Sequence, residues 1–151
     1  MDCQIRPATP EDAAAISRVI VSALRESNAQ DYPPQVIAQV QQSFSPEAIL
    51  GLLGVRQVYV ATLDQQVVAT ASLDQDVVRS VFVEPSRQGL GIGRQLMAQI
   101  RAVALKGGIE RLRVPSSITA EGFYAGLGFQ KVREQLHGAE RTIIMEQRLA
   151  P

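Results

Sequence analysis

The chain has 151 residues, which is enough for one domain with a sizeable buried core. Lys plus Arg and Asp plus Glu each total 15, so nothing in the composition predicts the basic face of a nucleic-acid-binding protein. The sequence contains neither an apolar run long enough to span a bilayer nor a signal-peptide pattern, so we expect a soluble, cytoplasmic protein without a membrane partner.

The single cysteine, Cys3, and the single histidine, His137, limit the chemistry further. One cysteine excludes a disulfide within the chain, and its position on a predicted strand favours a small buried side chain over a nucleophile. A metal cluster of cysteines and histidines cannot be built from these two residues, so we predict no metal site.

The first predicted elements are a short strand and an amphipathic helix. Cys3 and Ile5 alternate with polar residues, as in a half-buried strand. Thr9 then reads as a helix cap, with Pro10 at the first helical position. Apolar residues follow at helical spacing and predict one buried stripe: Ile16, Val19, Ile20, Ala23 and Leu24.

Two shorter helices are predicted next. Turn-favouring residues at 27–33 end the first helix, and Pro34 can open the second. A third helical piece begins at Ser45 and Pro46 and runs through Leu53. The apolar side of the second helix consists of Val36, Ile37, Val40 and Phe44.

From Val58 the apolar period becomes that of strands. Three strands joined by short polar turns are predicted at Val58–Thr62, Val67–Leu73 and Val77–Val83. Their spacing is typical of an antiparallel meander.

A glycine-rich loop follows the last of these strands and opens an amphipathic helix. Gly89, Gly91 and Gly93 stand at alternate positions, where they allow a ligand to approach the backbone closely. The first helical turn offers unpaired N–H groups and the positive end of the helix dipole, and Arg87 and Arg94 flank it. The stretch therefore predicts a phosphate site, with a plain strand-to-helix turn as the alternative.

Two common nucleotide motifs do not fit this loop. A P-loop needs a Gly-Lys-Ser/Thr sequence, which is missing, and the spacing Gly-x-Gly-x-Gly differs from the dinucleotide fingerprint Gly-x-Gly-x-x-Gly. A nucleotide-binding regulatory domain is therefore disfavoured.

The rest of the chain predicts further alternation of strands and helices. The helix after the glycine loop ends at Lys106, before two glycines. A strand at Arg111–Val114, a helix at Thr119–Leu127 and two strands at Phe129–Leu136 and Arg141–Leu149 follow. This order predicts an α/β fold with a mixed sheet.

Two stretches, Gln88–Gly93 and Ser117–Phe129, resemble motifs of one family, the GNAT superfamily of acyl-CoA-dependent N-acyltransferases. Gln88–Gly93 is similar to its signature Arg/Gln-x-x-Gly-x-Gly/Ala. Ser117–Phe129 is similar to its later motif Asn-x-x-Ala-x-x-Phe-Tyr with a following Gly-Phe, although Ser117 replaces the commoner asparagine. The matching residues of the later motif are Ala120, Phe123, Tyr124, Gly128 and Phe129. The order of the surrounding elements also fits, so we expect a single GNAT N-acetyltransferase domain over residues 1–151.

The resemblance implies a mixed, mostly antiparallel central sheet that is flanked by helices and splayed between the fourth and fifth strands, with acetyl-CoA in the splay. The Tyr124 hydroxyl would approach the coenzyme A sulfur as a catalytic hydrogen-bond or proton donor; a core tyrosine is the alternative. The acceptor would lie near Asp31 and Tyr32. The residues implied in cofactor binding are Val81, Phe82, Val83, Arg87, Gln88, Gly89, Leu90, Gly91, Ile92, Gly93, Arg94 and Ser117.

The implied function is transfer of the acetyl group of acetyl-CoA to a primary amine of a small molecule or peptide, by direct attack in a ternary complex. A catalytically weak coenzyme A-binding sensor or partner-binding module on the same fold is the alternative. No acid is singled out as the general base among Asp74, Asp76, Glu84 and Glu121, and a water relay would leave none to find. A homodimer through the last two strands fits the family.

Overall fold

The computed structural model of the chain describes residues 3–149. Numbered in chain order, its strands are β1 (Gln4–Pro7), β2 (Gln57–Leu63), β3 (Gln66–Asp74), β4 (Val77–Val83), β5 (Arg111–Ser117), β6 (Gln130–His137) and β7 (Glu140–Arg148). Its α-helices are α1 (Ala13–Glu26), α2 (Pro34–Gln41), α3 (Pro46–Leu53), α4 (Ile92–Lys106) and α5 (Glu121–Gly126). The predicted α/β class is confirmed.

The strands form one sheet in the order β1-β2-β3-β4-β5-β7-β6. Neighbouring strands are antiparallel except β4 and β5, which are parallel and pair only at Val77 and Arg113. There the Arg113 N–H donates to the Asp76 carbonyl at 2.9 Å. Beyond that point the two strands diverge, which confirms the predicted splay between the fourth and fifth strands.

Helices cover both faces of the sheet, and alternate residues of its strands point to different cores. Tyr59 and Ala61 of β2 belong to the core beneath α4, whereas Val58 and Val60 pack into the core of α1 and α3. The core beneath α4 includes the fully buried side chains of Leu96, Met97 and Ile100. The cleft described below therefore opens in a sheet that is packed on both sides.

The predicted apolar stripe of the first helix is buried in α1, but the helix begins differently from the sequence expectation. Residues 10–12 form a 3₁₀ turn, and α1 starts at Ala13. The capping acceptor is Asp12, whose Oδ2 accepts the Thr9 backbone N–H at 2.8 Å. Arg6 also binds this carboxylate, with Nη1 to Oδ2 at 2.8 Å and Nη2 to Oδ1 at 2.9 Å. Thr9 is nevertheless the N-cap of this 3₁₀ turn, as predicted, and its backbone carbonyl accepts the Asp12 N–H at 2.9 Å.

The boundaries after α4 also differ from the sequence expectation. The strand predicted to end at Val114 continues to Ser117, because its pairing with β7 persists to the Ser117 and Thr142 pair. The helix predicted from Thr119 begins two residues later. Ser117 Oγ accepts the Ala120 N–H at 3.1 Å, and this turn delays the helix start.

At one edge of the sheet, β6 is solvent-exposed along its whole length. Its apolar residues Val132 and Leu136 are 54% and 74% exposed. A homodimer contact through the last two strands stays a prediction. None of the helices in the described part of the chain is long and apolar enough to cross a membrane.

Candidate functional site

The divergence of β4 and β5 opens a cleft of about 840 Å³. The two strands, the glycine loop, the first turn of α4 and residues of α5 line it, and α1, α2 and β7 close its sides. Every residue that the sequence predicts for cofactor binding lines this cleft except Leu90, which is exposed outside it. Tyr124 and Tyr32 also line it, whereas Asp31 does not.

A β-bulge shapes the β4 wall. The pairing with β3 shifts between Thr70 and Ser72, and Ser80 has a φ of 56°, a left-handed conformation that is uncommon for a residue with a side chain. Because β4 has no partner strand beyond Val77 on its other side within residues 3–149, residues 81–83 form a free strand edge along the cleft. Its Val83 carbonyl accepts a hydrogen bond from the Gln88 side-chain amide at 3.2 Å. Such an edge can accept an extended chain that carries amide groups.

The glycine loop leaves its backbone open to a ligand. Gly89 and Gly91 have φ values of 81° and 82°, and no atom lies within 4 Å of where a Cβ would stand on either residue. The amides of residues 92–94 in the first turn of α4 find no acceptor within residues 3–149. Arg87 and Arg94 form no salt bridge within the same range. Free amides, a helix dipole and two available guanidinium groups together suit an anion such as a phosphate.

The third glycine of the loop, Gly93, allows α5 to pack closely against the start of α4. A Cβ on Gly93 would lie 3.1 Å from Cζ of Phe123 and 3.7 Å from a methyl group of Val83, so α5 approaches the first turn of α4 closely here. The Phe123 ring meets Tyr124 edge to face at 5.1 Å between centroids, and Tyr124 meets Phe129 in the same way at 5.6 Å. This aromatic row fixes the Tyr124 ring in the cleft wall.

Tyr124 is only 3% exposed, and its hydroxyl makes no hydrogen bond to any other residue within 3–149. Burial raises the pKa of this phenol above its ordinary value, because the charged form would lose its hydration. The group therefore stays protonated over the physiological range and can act as a hydrogen-bond donor.

Tyr32 and Asp31 connect separate parts of the chain. The Tyr32 hydroxyl donates to the Arg141 carbonyl at 2.7 Å and accepts the Ile118 N–H at 2.8 Å. The Asp31 carboxylate accepts from Thr119 Oγ1 at 2.7 Å. These bonds hold the connection between α1 and α2 against β7 and the turn before α5. Substrate contact by these two residues stays a prediction, and the Tyr32 hydroxyl already has two partners.

The four acids that the sequence offers as general base do not line the cleft. Asp74 pairs with Arg79 at 3.4 Å and Asp76 with Arg113 at 3.3 Å, so both carboxylates neutralise neighbouring arginines. Glu84 and Glu121 are half-buried outside the cleft. None of the four is therefore placed to take a proton there.

Sequence reasoning missed three charged residues that do line the cleft: Arg56, Arg79 and Glu140. Glu140 is the only carboxylate among the described lining residues, and it begins β7 next to the turn from β6. Arg56 lies in the connection between α3 and β2. No local sequence pattern indicates that Arg56 or Glu140 lines the cleft, because each comes close to it only when strands that are distant in sequence form the sheet.

Comparison with known proteins gives consistent results. The sequence profile of the acetyltransferase (GNAT) domain matches residues 28–144, well over half of the chain. The uncharacterized N-acetyltransferase YafP of Escherichia coli K12 is 31% identical over 135 residues, which cover 87% of this chain and 84% of YafP.

Solved structures share the fold at lower identity. A GCN5-related N-acetyltransferase from Rhodopseudomonas palustris superposes with a TM-score of 0.93 at 24% identity, covering 99% of this chain and 97% of that one. The PaiA N-acetyltransferase from Thermoplasma acidophilum, solved in complex with coenzyme A, gives 0.84 at 18% identity, with 98% and 99% coverage. Together with the splayed sheet, the profile match and the YafP likeness show that this chain belongs to the GNAT family of acetyltransferases.

Proposed function

We propose that this protein transfers the acetyl group of acetyl-CoA to the primary amine of a small molecule or peptide, by direct attack in a ternary complex. The observation that carries the proposal is the cleft between β4 and β5, which leads from the free N-terminal turn of α4 to the buried Tyr124. The coenzyme A in the PaiA neighbour supports the choice of co-substrate.

The glycine loop and the β4 edge suit the two halves of coenzyme A. The amides of residues 92–94 would bind the pyrophosphate, and Arg87 and Arg94 would pair with phosphate oxygens. The free edge at residues 81–83 would bond the pantetheine amides as a neighbouring strand would. The cleft volume of about 840 Å³ lies in the upper part of the range for small-molecule sites.

Tyr124 would stabilise the leaving thiolate. A thiol has an ordinary pKa near 8.5 and a phenol near 10, and burial raises that of Tyr124 further. Complete proton transfer to the thiolate would therefore be uphill, whereas a hydrogen bond from the hydroxyl lowers the energy of the developing charge. Cys3 does not line the cleft, so the one thiol of the chain is not available for an acetyl-enzyme, which favours direct attack.

The attacking amine must lose a proton, since an alkylammonium with a pKa near 10.4 has no free electron pair. Glu140 is the described cleft residue that can accept this proton, directly or through a water molecule. It is half-buried and close enough to Tyr32 for its charge to help raise the pKa of that hydroxyl, after the larger effect of burial.

The test begins with thermal unfolding at increasing acetyl-CoA. A ligand at a hundredfold excess over Kd adds roughly 2.7 kcal/mol to the free energy of unfolding, which raises the melting temperature by about 5–11 °C for a chain of this size. The Tyr124→Phe variant should unfold like the wild type, because the hydroxyl has no partner, and should bind acetyl-CoA with unchanged affinity. Its kcat with an amine acceptor should fall about 100-fold or more.

A coenzyme A-binding module without turnover is the second candidate. It is favoured by one observation, that Glu140 is the sole carboxylate on the described cleft walls. Acetyl-CoA binding without amine-dependent release of free thiol, across a broad amine panel, would support it and contradict the enzyme. A folded protein that acetyl-CoA does not stabilise would contradict both candidates.

A further inference from the structure

One part of the cleft, here called the chamber, is lined by residues of α1 and α2 and by Phe44 and Phe82. Its wall there is apolar and includes an edge-to-face pair of Phe44 and Phe82, with ring centroids 5.9 Å apart. Val36 and Val40 of α2 complete this wall. Arg56 reaches the cleft from the connection between α3 and β2, and Arg79, which pairs with Asp74, lies near it. A positively charged side chain therefore lies next to an apolar surface.

Arg56 is half-buried, yet it forms no salt bridge within residues 3–149. Its one hydrogen bond runs from Nη1 to Ser80 Oγ, at 3.2 Å, in the bulge of β4. Burial lowers the pKa of the guanidinium and the nearby charge of Arg79 lowers it further, while Asp74 opposes both effects. Arginine nevertheless remains charged in proteins, so this is a partly desolvated cation with free donors.

The bond to Ser80 places the guanidinium beside the part of β4 that leads into the free edge at residues 81–83. Glu140, in contrast, begins β7, two residues before the Thr142 that pairs with Ser117 of β5. The positive group thus belongs to the β4 wall and the negative group to the β5 and β7 wall. The two walls of the cleft therefore present groups of opposite charge to a bound acceptor.

We propose, resting on the acetyltransferase function above, that Arg56 binds a carboxylate of the acceptor, which is a small amino acid with an apolar side chain and not a simple amine or a lysine side chain. The planar guanidinium fork can bond both oxygens of a carboxylate. The wall of Phe44, Phe82 and the two valines would cover the apolar side chain. The amino group would then lie toward Glu140.

The test compares matched acceptors: leucine and phenylalanine, their amides, and the corresponding amines without the carboxyl group. We expect wild-type kcat/KM to favour the free acids by about 10- to 100-fold, the range for a hydrogen-bonded contact with a charged group. Arg56→Met should abolish this preference, and Arg56→Lys should keep part of it. Arg18→Met, which removes an exposed arginine of α1 outside the cleft, should leave the preference unchanged.

A binding measurement separates specificity from turnover. In the presence of coenzyme A, N-acetyl-leucine should raise the melting temperature of the wild type more than N-acetyl-leucinamide does, and Arg56→Met should respond equally to both. Equal responses of the wild type would overturn the inference, as would an Arg56→Met variant that loses the same factor for all three acceptor classes. That second result would assign Arg56 a purely structural role in holding the bulge.

The two proposals fail in different ways. Absence of stabilisation by acetyl-CoA defeats the acetyltransferase function itself. Amine acetylation without any advantage for the free acids defeats only the carboxylate site.

Discussion

The glycine loop supports a sharp prediction, because Gly91 and Gly93 differ in what an added methyl group would meet. Gly91 caps α4 with a φ of 82°, and its Cβ position is open to solvent. Gly93 lies within the helix, and its Cβ position points at Phe123 and Val83. The same substitution, glycine to alanine, therefore tests ligand approach at one position and interior packing at the other.

Gly91→Ala forces a side chain into the left-handed region, which costs about 1–2 kcal/mol and lowers the melting temperature by roughly 2–8 °C. The methyl group also occupies the space through which a phosphate would reach the loop, so we expect acetyl-CoA affinity to fall by about 10- to 100-fold, as for loss of a charge-assisted hydrogen bond. Gly93→Ala moves Phe123 by a few tenths of an ångström and gains helix propensity, so its stability should stay within about 1 kcal/mol of the wild type.

The assay is calorimetric titration of acetyl-CoA, together with thermal unfolding of the free proteins. Gly93→Ala should bind within about threefold of the wild type, because its added methyl group meets Phe123 and Val83 and leaves the open space beside Gly89 and Gly91 unchanged. Gly122→Ala in α5, with no atom near its Cβ position and no positive φ, is the neutral control. If Gly91→Ala loses stability but binds acetyl-CoA like the wild type, the phosphate does not approach the backbone at Gly91.

Three further predictions concern other parts of the fold. Tyr32→Phe removes the hydroxyl that bonds the Arg141 carbonyl and the Ile118 N–H, so we expect the free energy of urea unfolding to fall by about 1–3 kcal/mol and the acceptor KM to rise. Wild-type values of both quantities would contradict the role of Tyr32 in holding these segments together. Gly51→Ala, on exposed α3 with free space around it, should raise the free energy of unfolding by about 0.5–1 kcal/mol in the same assay. Asp12→Asn should cost roughly 1–3 kcal/mol at pH 7. Hydrogen bonding to Arg6 lowers the pKa of Asp12 in the folded state, so this stability is present above the ordinary carboxyl pKa of about 3.9 and is lost as the pH falls through the lower folded value. The difference in free energy of unfolding between the wild type and Asp12→Asn, measured by thermal unfolding, should therefore narrow as the pH falls from 5 to 2. A difference that stays constant over this range would refute the stabilising role of the ionised Asp12.

Elements of the fold that depend on local chemistry could be predicted from the sequence. The glycine spacing identified the loop before α4, and the helical period of α1 identified its buried stripe. The later motif identified Tyr124, which does line the cleft. In each case a short run of residues is sufficient, because backbone conformation and side-chain periodicity are local properties.

Features that arise from the pairing of strands could not be predicted from short runs of sequence. Ser80 adopts its positive φ because β3 and β4 change register at this point, and nothing about a serine in a strand pattern indicates it. Arg56 reaches the cleft from the connection between α3 and β2, and Glu140 reaches it from the first residue of β7, next to a turn. The residues that the sequence offered as bases are paired with arginines or lie elsewhere, so local acidity proved a poor guide to position.

The charge of the cleft shows why composition alone misleads. The chain as a whole is neutral, yet four arginines and one glutamate line the cleft: Arg56, Arg79, Arg87, Arg94 and Glu140. Asp74 pairs with Arg79, so Arg56, Arg87 and Arg94 are the lining arginines without a salt bridge among the described residues. A cleft with low-dielectric walls concentrates such a field, which attracts anions from solution. Arg87 and Arg94 stand at the glycine loop, where phosphates would bind, and Arg56 stands in the apolar chamber, where no phosphate is needed. Arg56 has no salt-bridge partner within residues 3–149, which is the physical reason for proposing a carboxylate on the acceptor.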